Sequence, residues 1–193
     1  LRAQPFPVRR LIALPLSHMP LKKREISPEN AKMRLENLCA RSEHCEWELR
    51  SKLRTWQIGA DDTEAILASL RRGRFYDDSR FAAAFVREKL RYNRWGRRKI
   101  ALALGAKRID RSVAQEALDA IEDEEYAEVL LGLMRAKARG IREGNSYDGR
   151  TKLFRAVASR GFETAMIADF IRTRAIWPEQ LAEEEEEADS LET

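Results

Sequence analysis

One pattern occurs three times in this chain and limits the folds open to it. Its copies read "ELRSKLRTWQIGADDTEAILASL" from Glu48, "GRRKIALALGAKRIDRSVAQEAL" from Gly96 and "GRTKLFRAVASRGFETAMIADFI" from Gly149. Each copy has a basic and then an aliphatic residue, a break, and a second stretch whose apolar residues recur at the helical period. A repeat of roughly 50 residues built from helical segments is typical of helical repeat proteins.

Another helical stretch precedes each copy, and all six prolines lie outside residues 31–173, so no proline interrupts these helices. We therefore predict an all-α fold in which three tandem three-helix repeats stack into an elongated, curved array. The arm and the tail at its two ends are expected to be disordered. The predicted segments are a basic N-terminal arm at residues 1–30, repeats at residues 31–77, 78–123 and 124–175, and an acidic tail at residues 176–193.

Two details of the repeats predict how their helices are joined. The basic–aliphatic pairs Lys52-Leu53, Lys99-Ile100 and Lys152-Leu153 mark equivalent places in the three copies. Gly59 and Gly161 stand at two of the breaks, where a left-handed residue commonly ends a helix.

The composition excludes several classes of protein. Hydrophobic residues make up 44% of the 193 residues and charged residues 35%, which is too apolar for a disordered chain and too charged for a membrane protein. The only cysteines, Cys39 and Cys45, lack the paired spacing of a zinc site and suit a reducing compartment. No phosphate-binding glycine motif occurs. We expect a soluble, cytoplasmic, monomeric protein without a metal or another cofactor.

Positive charge is concentrated in the middle of the chain. Residues 71–110 contain 13 Lys and Arg residues against four Asp and Glu, a net charge of +9, whereas the whole chain has +4. Such a block suits a polyanion or an acidic protein surface, or it is an ordinary solvated face balanced by its neighbours.

Two adjacent aspartates in "GRFYDDSRFAAAFV", Asp77 and Asp78, stand just before one of the helical stretches. As the N-cap and the first residue of that helix, they would accept hydrogen bonds from its free amides, and their negative charges would stabilise its positive N-terminal end. Tyr76 and Phe81 then occupy the two positions of a hydrophobic staple. The alternative is a metal-binding carboxylate pair, as in a nuclease, which needs further ligands in a spaced cluster. The sequence offers no such cluster, so capping is favoured.

The helix after these aspartates has two different faces. At 100° per residue, its arginines lie within about 60° of one another, and the aromatic residues Phe81, Phe85 and Tyr92 are predicted to pack inward. Guanidinium groups suit bidentate contact with phosphates or carboxylates, although Glu88 and other acids could neutralise part of the stripe. The candidate contacts are Arg80, Arg87, Arg91, Arg94, Arg97, Arg98, Lys99, Lys107 and Arg108.

Three tryptophans could stack on nucleic acid bases. Trp47 and Trp56 lie on periodic helical stretches and are predicted to be in the core. Trp95 precedes Gly96 within the basic run and is kept as a candidate contact.

The order and spacing of these motifs resemble the RecX regulators of the bacterial recombinase RecA. The resemblance covers residues 36–173 and lies in "EWELRSKL", "GRFYDDSRFAAAFV", "WGRRKI" and "KLFRAVASRGF". Two positions depart from the family pattern. Cys45 replaces a small hydroxyl residue that opens a capping box closed by Glu48, so this cap should be weaker. Arg108 replaces the glycine of a Lys-Gly-Ile turn, which puts that turn in question.

The resemblance implies a non-enzymatic, all-helical cytoplasmic protein that binds RecA and its nucleoprotein filament. Such a protein modulates filament growth and recombinase activity, usually by inhibition. DNA itself is a further partner that the basic stripe would suit, and no membrane is expected. The alternative is a helical DNA-binding protein that acts without a recombinase, whose binding to naked DNA would fall steeply with salt.

Overall fold

The computed structural model describes residues 26–182, and all regular structure in that range is helical. The all-α prediction is therefore confirmed. A further helical segment covers residues 178–182 at the end of the described range. The complete helices are α1 Pro28–Cys39, α2 Glu46–Thr55, α3 Ala60–Arg72, α4 Asp78–Arg91, α5 Arg97–Ala106, α6 Arg111–Asp119, α7 Asp123–Ala138, α8 Tyr147–Ala158 and α9 Thr164–Thr173.

The helices pack in three groups that follow one another along the chain. In the first unit, α3 contacts both α1 and α2, and in the second unit α4, α5 and α6 all contact one another. In the third unit, α8 contacts α7 and α9. The helix α4 also contacts α7, which joins the second unit to the third.

Folded residues extend past both predicted ends of the repeats. Pro28 is the first residue of α1, and Ser27 caps that helix by accepting a hydrogen bond from the Asn30 amide at 3.3 Å. At the other end, Ile176 and Trp177 are buried in the core. The predicted boundaries at residues 30 and 176 are corrected accordingly. The rest of the predicted arm, up to residue 25, and the tail from residue 183 lie outside the described residues.

Left-handed residues end five of the helices. Gly161 has this conformation, with φ of 89°, as predicted. Gly59 does not, because it is the N-cap of α3 with φ of −59°, and Gln57 is the left-handed residue at that break. The other three breaks use arginine: Arg74, Arg94 and Arg108 have φ between 51° and 59°.

These left-handed residues set the true register of the repeats. Lys99 precedes Arg108 by nine positions, and Lys152 precedes Gly161 by the same number, but Lys52 precedes Gln57 by only five.

The Lys52-Leu53 pair was therefore aligned one helical turn too late. Counted from the left-handed residue, Glu48 and Leu49 occupy the equivalent place in the first unit.

The core is divided into two clusters. The first cluster belongs to the first unit and includes Leu35, Leu53 and Tyr76. The second cluster runs through the second and third units without interruption, from Phe81 to Trp177, and also takes in Cys45. Tyr76 and Phe81 thus lie in different clusters, so the predicted hydrophobic staple between them is not formed.

The junction between the first and second units is built from polar side chains. The Arg80 Nε lies 3.1 Å from the Glu43 Oε1, and Lys107 forms a charged hydrogen bond with Glu48. Asp78 adds a hydrogen bond to the backbone of α2. Among residues 26–182, Cys45 is the only buried apolar residue of the first unit that joins the core of the second.

The junction between the second and third units brings two backbones into direct contact. The Gly96 amide donates to the Arg160 carbonyl at 2.9 Å, and the Arg98 amide donates to the Gly161 carbonyl at 3.2 Å. A Cβ atom on Gly96 would lie 2.3 Å from the Gly161 carbonyl oxygen. Glycine at position 96 is therefore a steric requirement of this junction.

Among residues 26–182, no helix combines the length and the apolar character needed to cross a bilayer.

Candidate partner-binding surface

The two aspartates at the start of α4 both bind backbone amides. Asp77 caps α4, because its side chain accepts a hydrogen bond from the Arg80 amide at 2.9 Å. The Asp78 Oδ1 accepts from the amide of Glu46, the first residue of α2, at 3.0 Å. One aspartate thus caps its own helix and the other caps a helix of the preceding unit. Within residues 26–182, no cluster of three or more metal-ligating side chains surrounds them.

This second cap replaces the one that Cys45 cannot supply. Cys45 is the N-cap of α2 but its side chain makes no capping hydrogen bond, as expected from the departure at this position. The thiol is fully buried, and burial raises its pKa. Asp78 therefore provides the acceptor that a serine or threonine would otherwise bring to the start of α2.

Two arginines of the predicted stripe are engaged in ion pairs with neighbouring units. Arg80 reaches back to Glu43 and also donates to the Arg74 carbonyl at 3.2 Å. Arg91 pairs with Glu125 on α7, and this hydrogen bond lowers the pKa of the Glu125 carboxyl. The prediction that acids would neutralise part of the stripe is confirmed, although Glu88 pairs instead with Lys89.

Arg97 and Lys107 are also held by the fold. Arg97 pairs with Asp123 at 3.0 Å, and its guanidinium lies 4.0 Å from the centroid of the Tyr126 ring. Lys107 pairs with Glu48 and lies within 6 Å of three aromatic rings. These two cations link units of the protein to each other.

Glu48 is the centre of the contact that Lys107 makes with the first unit. Its other carboxylate oxygen lies 2.7 Å from the His44 Nδ1. Burial acts to raise the pKa of Glu48, but the hydrogen bonds from Lys107 and His44 outweigh it and hold the pKa below its usual value. The charged form of Glu48 is therefore the one that stabilises this junction.

The tryptophans follow the sequence prediction only in part. Trp47 is 36% exposed rather than in the core, because its side chain lies on the outer face of α2 near Lys107. Trp56 is half-buried against the first cluster. Trp95 packs against the second cluster, and the Lys99 ammonium lies 4.7 Å from its ring centroid. A ring covered in this way is typical of structural packing.

The end of α4 corrects the predicted stripe. The helix stops at Arg91, so Arg94 lies beyond it in a left-handed turn, where helical spacing no longer places its side chain. Tyr92 is the C-cap and is 83% exposed, so the prediction that it packs inward is wrong. Phe81 and Phe85 do pack inward, with ring centroids 5.6 Å apart.

Four of the predicted contacts are exposed and have no ion-pair partner among residues 26–182. They are distributed over α4, the start of α5 and the two turns that flank α5. We call them the free arginines: Arg87, Arg94, Arg98 and Arg108.

The comparisons with known proteins place this chain in a family. A regulatory protein RecX of Chromohalobacter salexigens is 32% identical over 142 residues, which cover 72% of this chain and 87% of that relative. The chain belongs to the RecX family. The family model described as "RecX, second three-helix domain" matches residues 77–118, which contain α4, α5 and all four free arginines.

Other RecX proteins show the same relationship. A regulatory protein RecX of Clostridium botulinum strain Eklund 17B is 30% identical over 129 residues, covering 66% of this chain but only 60% of that relative. The crystal structure of RecX from Lactobacillus salivarius has a TM-score of 0.66 at 23% identity, and it covers 75% of this chain and 94% of the RecX chain. The likeness to this crystal structure concerns the fold alone.

The sequence did not reveal the acidic partners of the stripe. Glu43, Glu48 and Glu125 lie 34 to 59 residues from the cations they bind. Their own segments give no sign of this role, because the pairing depends on how the units pack.

Proposed function

We propose that this chain binds the RecA recombinase and its nucleoprotein filament in the cytoplasm, and that it modulates filament growth, ATP hydrolysis and strand exchange, chiefly by inhibition. The observation that supports this proposal is the set of four free arginines on the unit that matches the RecX family model. Cations without an internal partner can pair with an acidic protein surface or with phosphate without first breaking an ion pair.

The proposal distinguishes two groups of cations. Arg80, Arg91, Arg97 and Lys107 hold the units together, so their loss should act through stability. The free arginines should act on the partner directly. Trp95 is left out of the binding surface because its ring is already covered.

The test is RecA-driven ATP hydrolysis on single-stranded DNA, with the protein added well below one copy per recombinase. The triple variant Arg87→Glu, Arg94→Glu and Arg98→Glu should lose at least about tenfold in inhibitory potency. The matched control reverses three other exposed arginines, Arg54, Arg139 and Arg142, and so gives the same change in net charge. That control should inhibit as the wild type does.

The alternative, a DNA-binding protein that acts without a recombinase, gives a different result in this assay. Inhibition would then appear only once the DNA is coated, and affinity for naked DNA would fall steeply with salt concentration. Equal potency of the two triple variants would count against the free arginines as the contact.

A further inference from the structure

Each unit has a groove between its second and third helices, and the three grooves are equivalent. In the register set by the left-handed residues, three helix positions line all three grooves, and the other lining residues differ from unit to unit. One position on the second helix and one on the third decide how each groove is filled. They are Arg50 and Glu64 in the first unit, Ala101 and Gln115 in the second, and Phe154 and Ala168 in the third.

The groove of the first unit is filled by its own side chains. Arg50 binds Glu64 and also Glu46, the latter at 2.8 Å. Arg71 binds the second carboxylate oxygen of Glu46 at 2.5 Å. These ion pairs satisfy both carboxylates and two of the arginines that line this groove, which leaves Arg72 as its one lining charge without an ion-pair partner in residues 26–182.

The groove of the second unit is open and apolar. It has a volume of about 650 Å³, against about 360 Å³ in the first unit. Leu102 lies at its edge and is 77% exposed. A Cβ atom placed on Gly105 would meet no other atom within 4 Å, so there is room beside the α5 backbone for a side chain from another molecule.

The charges at the edge of this groove are all positive. Arg98 and Arg111 both line it, and neither has an ion-pair partner in the described part of the chain. No acidic side chain from the described residues lines it. An apolar floor between two free guanidinium groups complements a segment that carries carboxylates on either side of an apolar residue. A nucleic acid backbone would use the arginines but would gain nothing from the apolar floor.

We propose that the groove between α5 and α6 binds a short acidic segment of a protein partner, which inserts an apolar side chain beside Leu102 and pairs its carboxylates with Arg98 and Arg111. This inference rests on the proposed function in one respect: the partner is the recombinase filament.

Two variants close the groove, one at the exposed Gly105 and one that includes Ala101, which packs against the second cluster. Gly105→Phe fills the open space beside α5. The double variant Ala101→Arg with Gln115→Glu introduces the residues that fill the groove of the first unit. The control is Tyr92→Ser, which removes a large exposed side chain elsewhere on the second unit. Circular dichroism checks that all variants keep the helix content of the wild type.

Three affinities are measured for the full chain: for RecA filaments on single-stranded DNA, for the same DNA alone, and for a fluorescein-labelled peptide of about 12 residues. In that peptide, leucines four residues apart alternate with glutamates, the pattern of an amphipathic segment. Both groove variants should bind filament and peptide at least about tenfold more weakly than the wild type and the control. Their affinity for DNA should not change.

Other results would overturn the inference. Unchanged binding of peptide and filament by both groove variants would show that the groove is not used. Loss of DNA binding alone would make it a nucleic acid surface. Peptide binding that appears only after Glu183 to Glu187 are changed to Gln would make the acidic end of this chain the occupant. If the wild type fails to bind filaments but binds the peptide in the groove, the proposed function falls and the groove remains.

Discussion

The two junctions of this protein hold similar units together by different means. Between the first and second units, the contacts are ion pairs, a shared helix cap and a single cysteine. Between the second and third units there are also two ion pairs, but here the apolar core is continuous and two glycine backbones touch. Polar contacts at a partly exposed surface are worth little each and weaken with salt and acid, whereas close apolar packing does not.

This difference implies an uneven distribution of stability along the chain. The first unit has its own core and can separate from the rest without exposing much apolar surface. The second and third units share one core and should unfold together.

The largest effect is expected at the apolar junction, from Gly96→Ala. The new methyl group would collide with the Gly161 carbonyl and the Phe162 amide, which are backbone atoms and cannot rotate away. We expect the free energy of unfolding to fall by about 3 kcal/mol, measured by urea denaturation. Gly132→Ala in α7 is the control, since its Cβ would meet nothing within 4 Å. This variant should raise the free energy of unfolding by about 1 kcal/mol. A loss below about 1 kcal/mol for Gly96→Ala would mean that the two backbones can move apart at little cost, so glycine would not be required at position 96.

A smaller effect is expected at the polar junction, from Lys107→Met. The change leaves the Glu48 carboxylate half-buried with His44 as its remaining side-chain partner, at a cost of about 2 kcal/mol. Hydrogen exchange should show the loss mainly in the first unit and around α5. Replacing Glu48 by Gln in the same chain should recover part of the stability. If the double variant is as unstable as the sum of the two single ones, the pair is not coupled.

The smallest effect is expected from acid. Because the pKa of Glu48 is lower in the folded protein than in the unfolded chain, the unfolded chain binds more protons as the pH falls. The stabilisation is complete above the unfolded pKa of about 4.3 and is lost as the pH drops through the folded value. Amide protection of α2 should therefore decline below about pH 4 while that of α8 persists. Glu48→Gln should flatten this decline, and equal losses in α2 and α8 would contradict the comparison.

The sequence was sufficient to predict the helices because their signals are local. Asp77 caps α4 through an amide three residues away, and Gly161 ends α8 by its own conformational freedom. The contact between Asp78 and α2 spans 32 residues and depends on the packing of two units. The stripe was continued past Arg91, where α4 ends, to Arg94, whose left-handed backbone no longer follows the helical spacing.

The candidate site was only partly visible for the same reason. A stripe drawn at 100° per residue correctly groups Arg80, Arg87 and Arg91 on α4. It cannot tell that Glu43 and Glu125 approach two of them from other units, while Arg87 has no ion-pair partner within residues 26–182. The α5–α6 groove left no signal at all, because its character comes from small residues, such as Ala101 and Gly105, that look unremarkable in a helix.

Three helices of this protein end next to a left-handed arginine, where a glycine would fit without strain. A left-handed backbone conformation destabilises the folded state by about 1 kcal/mol at such a residue. A cation near the negative end of a helix offsets part of this cost by about 0.3–1 kcal/mol. Replacing Arg108 or Arg94 by glycine would thus relax the backbone but also erase a positive charge whose position the helix end fixes. Evolution could make this protein more stable at these turns only by making it less basic.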